Sequence, residues 1–229
     1  MRDYFAGFVQ KYEPLLIGAT QRTAFKDVET EMENIHDALH WAARHRRWDD
    51  AERSIQPLIV YYELVSRFME LVKLVTELEA LMLASGLGQD SPLLWRVRVA
   101  KSYGLSRSGH FQEGYALGED CSKFFEEHNN PQQIALICAS QCYASMMVGN
   151  YAEAKACGQH GYELSGEHGY HWEMLGSAFN LGYVHFLAGE YDQAKNIYER
   201  ILEKGGEGRL AAIHDRLCLQ QSGRNPARP

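Results

Sequence analysis

Apolar residues recur at helical spacing along most of the chain. Tyr4, Phe5, Phe8, Val9, Tyr12 and Leu15 form one stripe, closed by Pro14 and Gly18. Met32, Ile35, Leu39 and Ala42 form the next. It ends in Arg44, His45, Arg46 and Arg47, cations placed to meet the negative end of a helix dipole. Trp48 with Ala51, and Phe68 with Leu71, read as degenerate aromatic-x-x-small turns that open further helices. The helix after Phe68 is amphipathic through Leu71, Val75, Leu78 and Met82, and stops at Gly86 and Gly88. The pattern predicts about ten or eleven helices and no sheet.

The second half repeats itself at a shift of 40 residues. Gly109, Gly149 and Gly189 fall in register, each followed two positions later by an aromatic: Phe111, Tyr151 and Tyr191. Three positions further stand the small residues Gly114, Ala154 and Ala194. Upstream, Tyr103, Tyr143 and Tyr183 each follow a small residue: Ser102, Cys142 and Gly182. One copy reads as a helical hairpin. Its first helix covers approximately Ala178 to Ala188, and Gly189 supplies the left-handed residue of the turn. The second helix starts near Asp192. Small residues such as Gly182 and Ala194 let the two helices approach, and Tyr191 is expected to fill the wedge at the turn. Such a hairpin cannot bury its apolar face alone, so neighbours must stack.

Leu181, Gly182, Ala188, Gly189, Tyr191, Ala194 and Tyr198 resemble the tetratricopeptide signature, with a period of 40 where 34 is usual. The lengthened repeat is similar to those in the helical regions of bacterial signal-transduction ATPases, including maltose-activator and LuxR-type transcription regulators. The copy from Trp95 departs most, with Gly114 and Gly118 in its second helix. A second resemblance runs from Tyr4 to Trp48. Tyr4-Phe5, Glu13-Pro14, Leu16, Gln21, Glu31, Glu33-Asn34-Ile35, Ala38-Leu39 and Trp41-Ala42 resemble the region joining the ATPase and winged-helix part of those regulators to their repeats. Together they imply an all-α, right-handed superhelical α-solenoid of hairpins. Residues 1–47 lead into the array and 48–94 form degenerate repeats. Three repeats follow at 95–134, 135–174 and 175–214, and 215–229 begin a further helix and a disordered tail.

Composition narrows the chemistry. Of 229 residues, 45% are hydrophobic and 23% charged, which is ordinary for a globular chain and excludes a disordered one. The net charge of -7 argues against a nucleic-acid-binding surface. No apolar run is long enough to span a membrane. Five cysteines show no disulfide framework, which points to the cytoplasm. The chain contains no Gly-Lys dipeptide, hence no phosphate loop, and neither GxSxG nor HExxH. His36 and His40 have a spacing that can hold zinc but read better as two partly exposed side chains. Cys138 and Cys142 share that spacing, and Cys142 sits in the small-residue column, so a buried structural thiol is expected. Cys121 and Cys218 fall on predicted inner faces. His128 and His168, 40 apart, read as caps at the ends of second helices. No catalytic residue, metal or cofactor is expected.

In tetratricopeptide hairpins the first helices line an inner groove. Transferring that register gives Val99, Tyr103 and Ser106, then Ala139, Tyr143 and Met146, then Phe179, Tyr183 and Phe186. These rings suit an apolar peptide or amphipathic helix; the alternative is that they pack between adjacent hairpins. The carboxylate clamp of chaperone-binding relatives, built on Lys and Asn, has no counterpart among these Tyr, Val, Ala and Phe positions. The sequence therefore suggests a non-enzymatic domain that binds a protein, a peptide or a small effector, within a regulator whose nucleotide-hydrolysing domain lies upstream. A freestanding scaffold joining two proteins is the alternative. Leu210, Ile213, Leu217 and Leu219 are apolar on more than one side of the last helix, which suggests self-association there.

Overall fold

A computed structural model describes residues 2–16 and 21–203, with side chains at 8–16 and 23–203. The side chains of Tyr4 and Phe5 lie outside the described ones, and Gly18, Cys218 and the four apolar residues Leu210, Ile213, Leu217 and Leu219 lie outside the described residues, as does the end of the last repeat. Among the described residues there are ten helices and no strand. The chain forms two compact units, Met1–Gln89 and Asp90–Lys204.

The first unit holds α1 (Arg2–Leu16), α2 (Gln21–Arg44), α3 (Trp48–Val65) and α4 (Phe68–Ala84). Helix α1 runs two residues beyond Pro14, which lacks the N–H that would bond the carbonyl of Gln10 and so weakens the helix close to its end. Helix α3 packs against the other three. Five consecutive residues, Leu58 to Tyr62, are therefore buried, where a surface helix would bury only one face. The amphipathic α2 contributes Val28, Ile35, Leu39 and Ala42 to the same core. Buried Asp50, in the first turn of α3, pairs with Arg47 at 2.8 Å and also with Arg53, so its charge is not stranded. The basic cluster does end α2, and His45 Nδ1 donates to the Trp41 carbonyl at 2.8 Å.

The second unit holds α5 (Pro92–Arg107), α6 (Phe111–Glu127), α7 (Pro131–Met147), α8 (Tyr151–His168), α9 (His171–Leu187) and a helix, α10, over 191–203. Each of α5 to α8 packs on the next in sequence, and α5, α7 and α9 also pack side by side. Helices α3 to α9 are 16 to 18 residues long, or roughly 25 Å. Helix α9 begins seven residues before the expected Ala178, and α10 begins one before Asp192.

The turns explain that uniformity. Residues with positive φ stand at Arg46, Ser66 and Gly86, and again at Asn129, Gly149, Gly169 and Gly189 following Gly109; within each set they are 20 apart. Between Gly86 and Gly109 the step is three longer, and the boundary between the units falls inside it. Five of these residues lie two positions before an aromatic that opens a helix: Trp48, Phe68, Phe111, Tyr151 and Tyr191. Asn130 and Asn150 then cap the following helices, their Oδ1 atoms accepting from Gln133 N at 3.3 Å and Glu153 N at 3.4 Å.

Small residues set the helix separation. A Cβ placed on Gly118 would lie 3.1 Å from Ser102 Oγ, and on Gly158 3.0 Å from Cys142 Sγ. One on Gly182 would lie 2.8 Å from the Tyr198 ring. These are the same two positions in three successive hairpins. Gly114 approaches α5 still more closely: its Cβ would stand 2.4 Å from Ser106 Oγ, and Ser102 Oγ donates to the Gly114 carbonyl at 2.7 Å. The departure of the first copy is thus matched by serines on the facing helix.

No atom lies within 4 Å of a Cβ built at Gly189, whose φ is +78°. Gly189→Val should therefore act through backbone strain alone and destabilise by about 1 to 3 kcal/mol. Gly189→Asn should cost less, because Asn tolerates that region. Thermal melts followed at 222 nm check this; equal melting temperatures for valine and glycine would contradict it.

Candidate functional site

Helices α5, α7 and α9 carry the nine inner-row positions, and their side-by-side packing decides how much of each ring remains outside. Val99, Tyr103, Ser106, Ala139, Met146 and Phe179 are buried. Tyr143 and Tyr183 are half-buried, and both pack on the core formed by Cys142, Met146, Ala154, Leu181 and Val184. Phe186 is 51% exposed. The nine residues lie along the three neighbouring helices, but only Tyr143, Tyr183 and Phe186 retain appreciable open surface.

Around the tyrosines the contacts are polar on one side and aromatic on the other. The Arg107 guanidinium lies 4.3 Å from the centre of the Tyr143 ring and 5.5 Å from that of Tyr103. Phe111 meets Tyr143 at 6.4 Å. At the other end, Tyr183 stacks on Phe186 with centroids 6.3 Å apart, and Tyr191 meets Phe186 edge-on at 5.6 Å. Tyr191 is 64% exposed. It does not fill the wedge at its turn, because its ring is turned onto Phe186. Its counterpart Tyr151 does pack inward.

The turn beneath these rings is tied down by charge. Glu190 accepts from Lys155 Nζ at 2.7 Å and from His185 Nδ1 at 2.5 Å. Chiefly the Lys155 hydrogen bond, and then that from His185, hold its carboxyl below the ordinary range. Lys155 belongs to α8, so the contact fixes the α9–α10 turn against the preceding hairpin. Farther inside, Asn180 Nδ2 donates to the Ala139 carbonyl at 2.9 Å and joins α9 to α7.

The other sequence candidates are structural. His36 Nε2 lies 2.9 Å from the Tyr62 hydroxyl, and burial, followed by the His40 charge, lowers its pKa. His40 faces Glu77 at 3.4 Å. Among the described residues no group of three His, Cys, Asp or Glu side chains is arranged to hold a metal. His128 Nδ1 donates to the Phe124 carbonyl at 2.7 Å and His168 Nδ1 to the Leu164 carbonyl at 3.1 Å, both at the ends of second helices. Cys121, Cys138 and Cys142 are buried free thiols. Burial pushes Cys138 and Cys142 up to about 12, and raises Cys157 as well.

No family model matches the chain, and no curated protein matches it in sequence. No helix among the described residues is long and apolar enough to cross a membrane.

The thiol state has a direct check. Iodoacetamide at pH 7.5 should leave Cys121, Cys138 and Cys142 unmodified in the native protein and alkylate all three in guanidinium, as read by peptide mass spectrometry. Rapid native labelling of Cys138 or Cys142 would show an activated thiol and contradict the structural role.

Proposed function

We propose that this chain is a non-enzymatic interaction domain that takes an amphipathic helix or peptide of a protein partner on the aromatic edge of α9. In this reading residues 95–214 are three tetratricopeptide-like repeats in a right-handed superhelical solenoid with a period near 40. Residues 1–47 and 48–94 lead into them, within a cytoplasmic bacterial transcription regulator. Support for the repeat comes from the left-handed turns at 20-residue intervals, the sequential packing, and the facing small pairs. The observation that carries the binding reading is Phe186, half exposed, with Tyr183 and Tyr191 against it. Large rings held outside a core that had room for Phe179 supply apolar contact area at low conformational cost. The Glu190, Lys155 and His185 group supplies polar contacts beside them, which suits a ligand apolar on one face.

Peptide display tests the binding reading. Helical sequences with apolar anchors at i and i+3 or i+4 should be enriched on the native protein. They should be lost on Phe186→Ser and Tyr191→Ser variants with unchanged melting temperatures. Selection indifferent to both substitutions would overturn the site. The reading frame upstream of Met1 separates the regulator from a freestanding scaffold: a phosphate loop there belongs to the first and its absence to the second.

A further inference from the structure

Neighbouring hairpins of the second unit stack through one recurring set of contacts. Gln132 Nε2 donates to Glu173 Oε1 at 3.1 Å, and Asn180 Nδ2 to the Ala139 carbonyl at 2.9 Å. Both bonds join residues 41 apart, at different heights along α7 and α9, so the two helices run parallel. Leu181 of α9 sits on the crossing of the preceding hairpin: a Cβ on Gly158 would lie 3.2 Å from its own Cβ. Gln141 takes the same place one hairpin back, with its Cγ 3.5 Å from a Cβ built on Gly118. Aromatics repeat the arrangement. Phe111 opens the second helix of one hairpin and meets Tyr143, on the first helix of the next, at 6.4 Å. Tyr151 and Tyr183 are the corresponding pair, and both pack on the core of Met146, Leu181 and Val184.

The third hairpin carries the same features, but among the described residues no further hairpin covers them. Phe186 stands in the column of Met146, which is buried against α9, yet Phe186 is half exposed. Tyr191 stands in the column of Phe111 and Tyr151 and is more exposed still. Two large rings are thus open on the side where a further first helix would stack. Exposed apolar surface of this kind marks interaction sites. The α5–α7 and α7–α9 contacts, continued by one step, define the shape that fits it.

We infer, resting on the reading that this edge takes a helix of a protein partner, that the partner helix occupies the place of a further first helix. It runs parallel to α9 and presents an aromatic to Tyr191 and Phe186. Apolar residues stand two positions before that aromatic and one and four after it, as Leu181, Val184 and Leu187 stand around Tyr183 against the preceding hairpin. These four positions span less than half of a helix circumference, so one face carries them all. The ring fixes register and direction, because aromatic pairs prefer offset or edge-on geometry and contribute beyond the area they bury.

The probe is a peptide with the sequence of α9, His171–Leu187, which already carries this pattern, with lysines added at both ends for solubility. Fluorescence anisotropy should show it binding the whole chain at one site. Leu181→Asp or Tyr183→Ser in the peptide should weaken binding by about tenfold or more, as should Phe186→Ser or Tyr191→Ser in the protein. Met69→Ser removes an equally exposed apolar side chain from α4 and should change affinity by less than about twofold. A photo-cross-linker at the C-terminal end of the peptide should mark residues 186–191, and one at its N-terminal end residues 168–174. The reversed pattern of cross-links, or an equal loss in Met69→Ser, would overturn the inference. Unrelated helices that bind through Phe186 and Tyr191 while this peptide does not would remove the parallel placement and leave the edge as a docking site. Tighter binding of the peptide to a Leu217→Asp, Leu219→Asp chain would mean that the chain's own end holds the edge, and a dimer dissolved by the peptide that a second copy does. Either result contradicts assignment to a partner.

Discussion

The closeness of paired helices in the second unit rests on one contact made three times. In each hairpin a residue near the middle of the first helix faces one in the second, and one of the two is glycine: Ser102 with Gly118, Cys142 with Gly158, Gly182 with Tyr198. The glycine changes sides in the last pair, where the bulk moves to the tyrosine. What is held is the summed volume at the crossing, the quantity a close-packed interior is sensitive to. Gly161 extends the same seam, since its Cβ would stand 2.6 Å from Ser177 Oγ and 2.9 Å from Cys138 Cβ. Helix α8 therefore lies close to both α7 and α9.

Close approach has consequences for where large side chains can go. With α6 presenting Gly114 and Gly118 and α8 presenting Ala154, Gly158 and Gly161 at the crossings, much of the buried apolar bulk sits on α5, α7 and α9, while Phe124 and Phe125 add bulk at the end of α6. Helices α5, α7 and α9 pack on one another as well. Tyr103 and Phe179 disappear into that layer, whereas Phe186, near the end of α9, remains half outside. The aromatic edge is thus a product of packing as much as of sequence. The nearly equal helix lengths follow from left-handed residues 20 apart within each unit, each closing one helix.

Much of this was legible in the sequence. The glycines at 109, 149 and 189 marked turns correctly, because glycine is the residue that left-handed backbone favours. Arg46 and Ser66 occupy the same conformation with residue types that do not announce it, so the 20-residue spacing of the first unit was hidden. The first turns of α9 were missed because His171, Trp172 and Glu173 break the apolar pattern. Glu173 is in fact buried and accepts from Gln132 Nε2 at 3.1 Å. The site was less legible than the fold. Tyr103, Tyr143 and Tyr183 occupy one column yet differ in exposure, since exposure depends on the neighbouring hairpin.

Exchange of bulk across the third pair tests the volume constraint most directly. Gly182→Cys alone should destabilise the protein, since the new side chain meets the Tyr198 ring. Tyr198→Gly alone should leave a cavity. The double substitution recreates the Cys142 and Gly158 arrangement one hairpin further on. Denaturant unfolding should show it to be more stable than the sum of the two single losses allows, with a coupling of about 1 kcal/mol or more. Strict additivity would mean that the two positions do not share one volume, and the account of how these helices are held together would be contradicted.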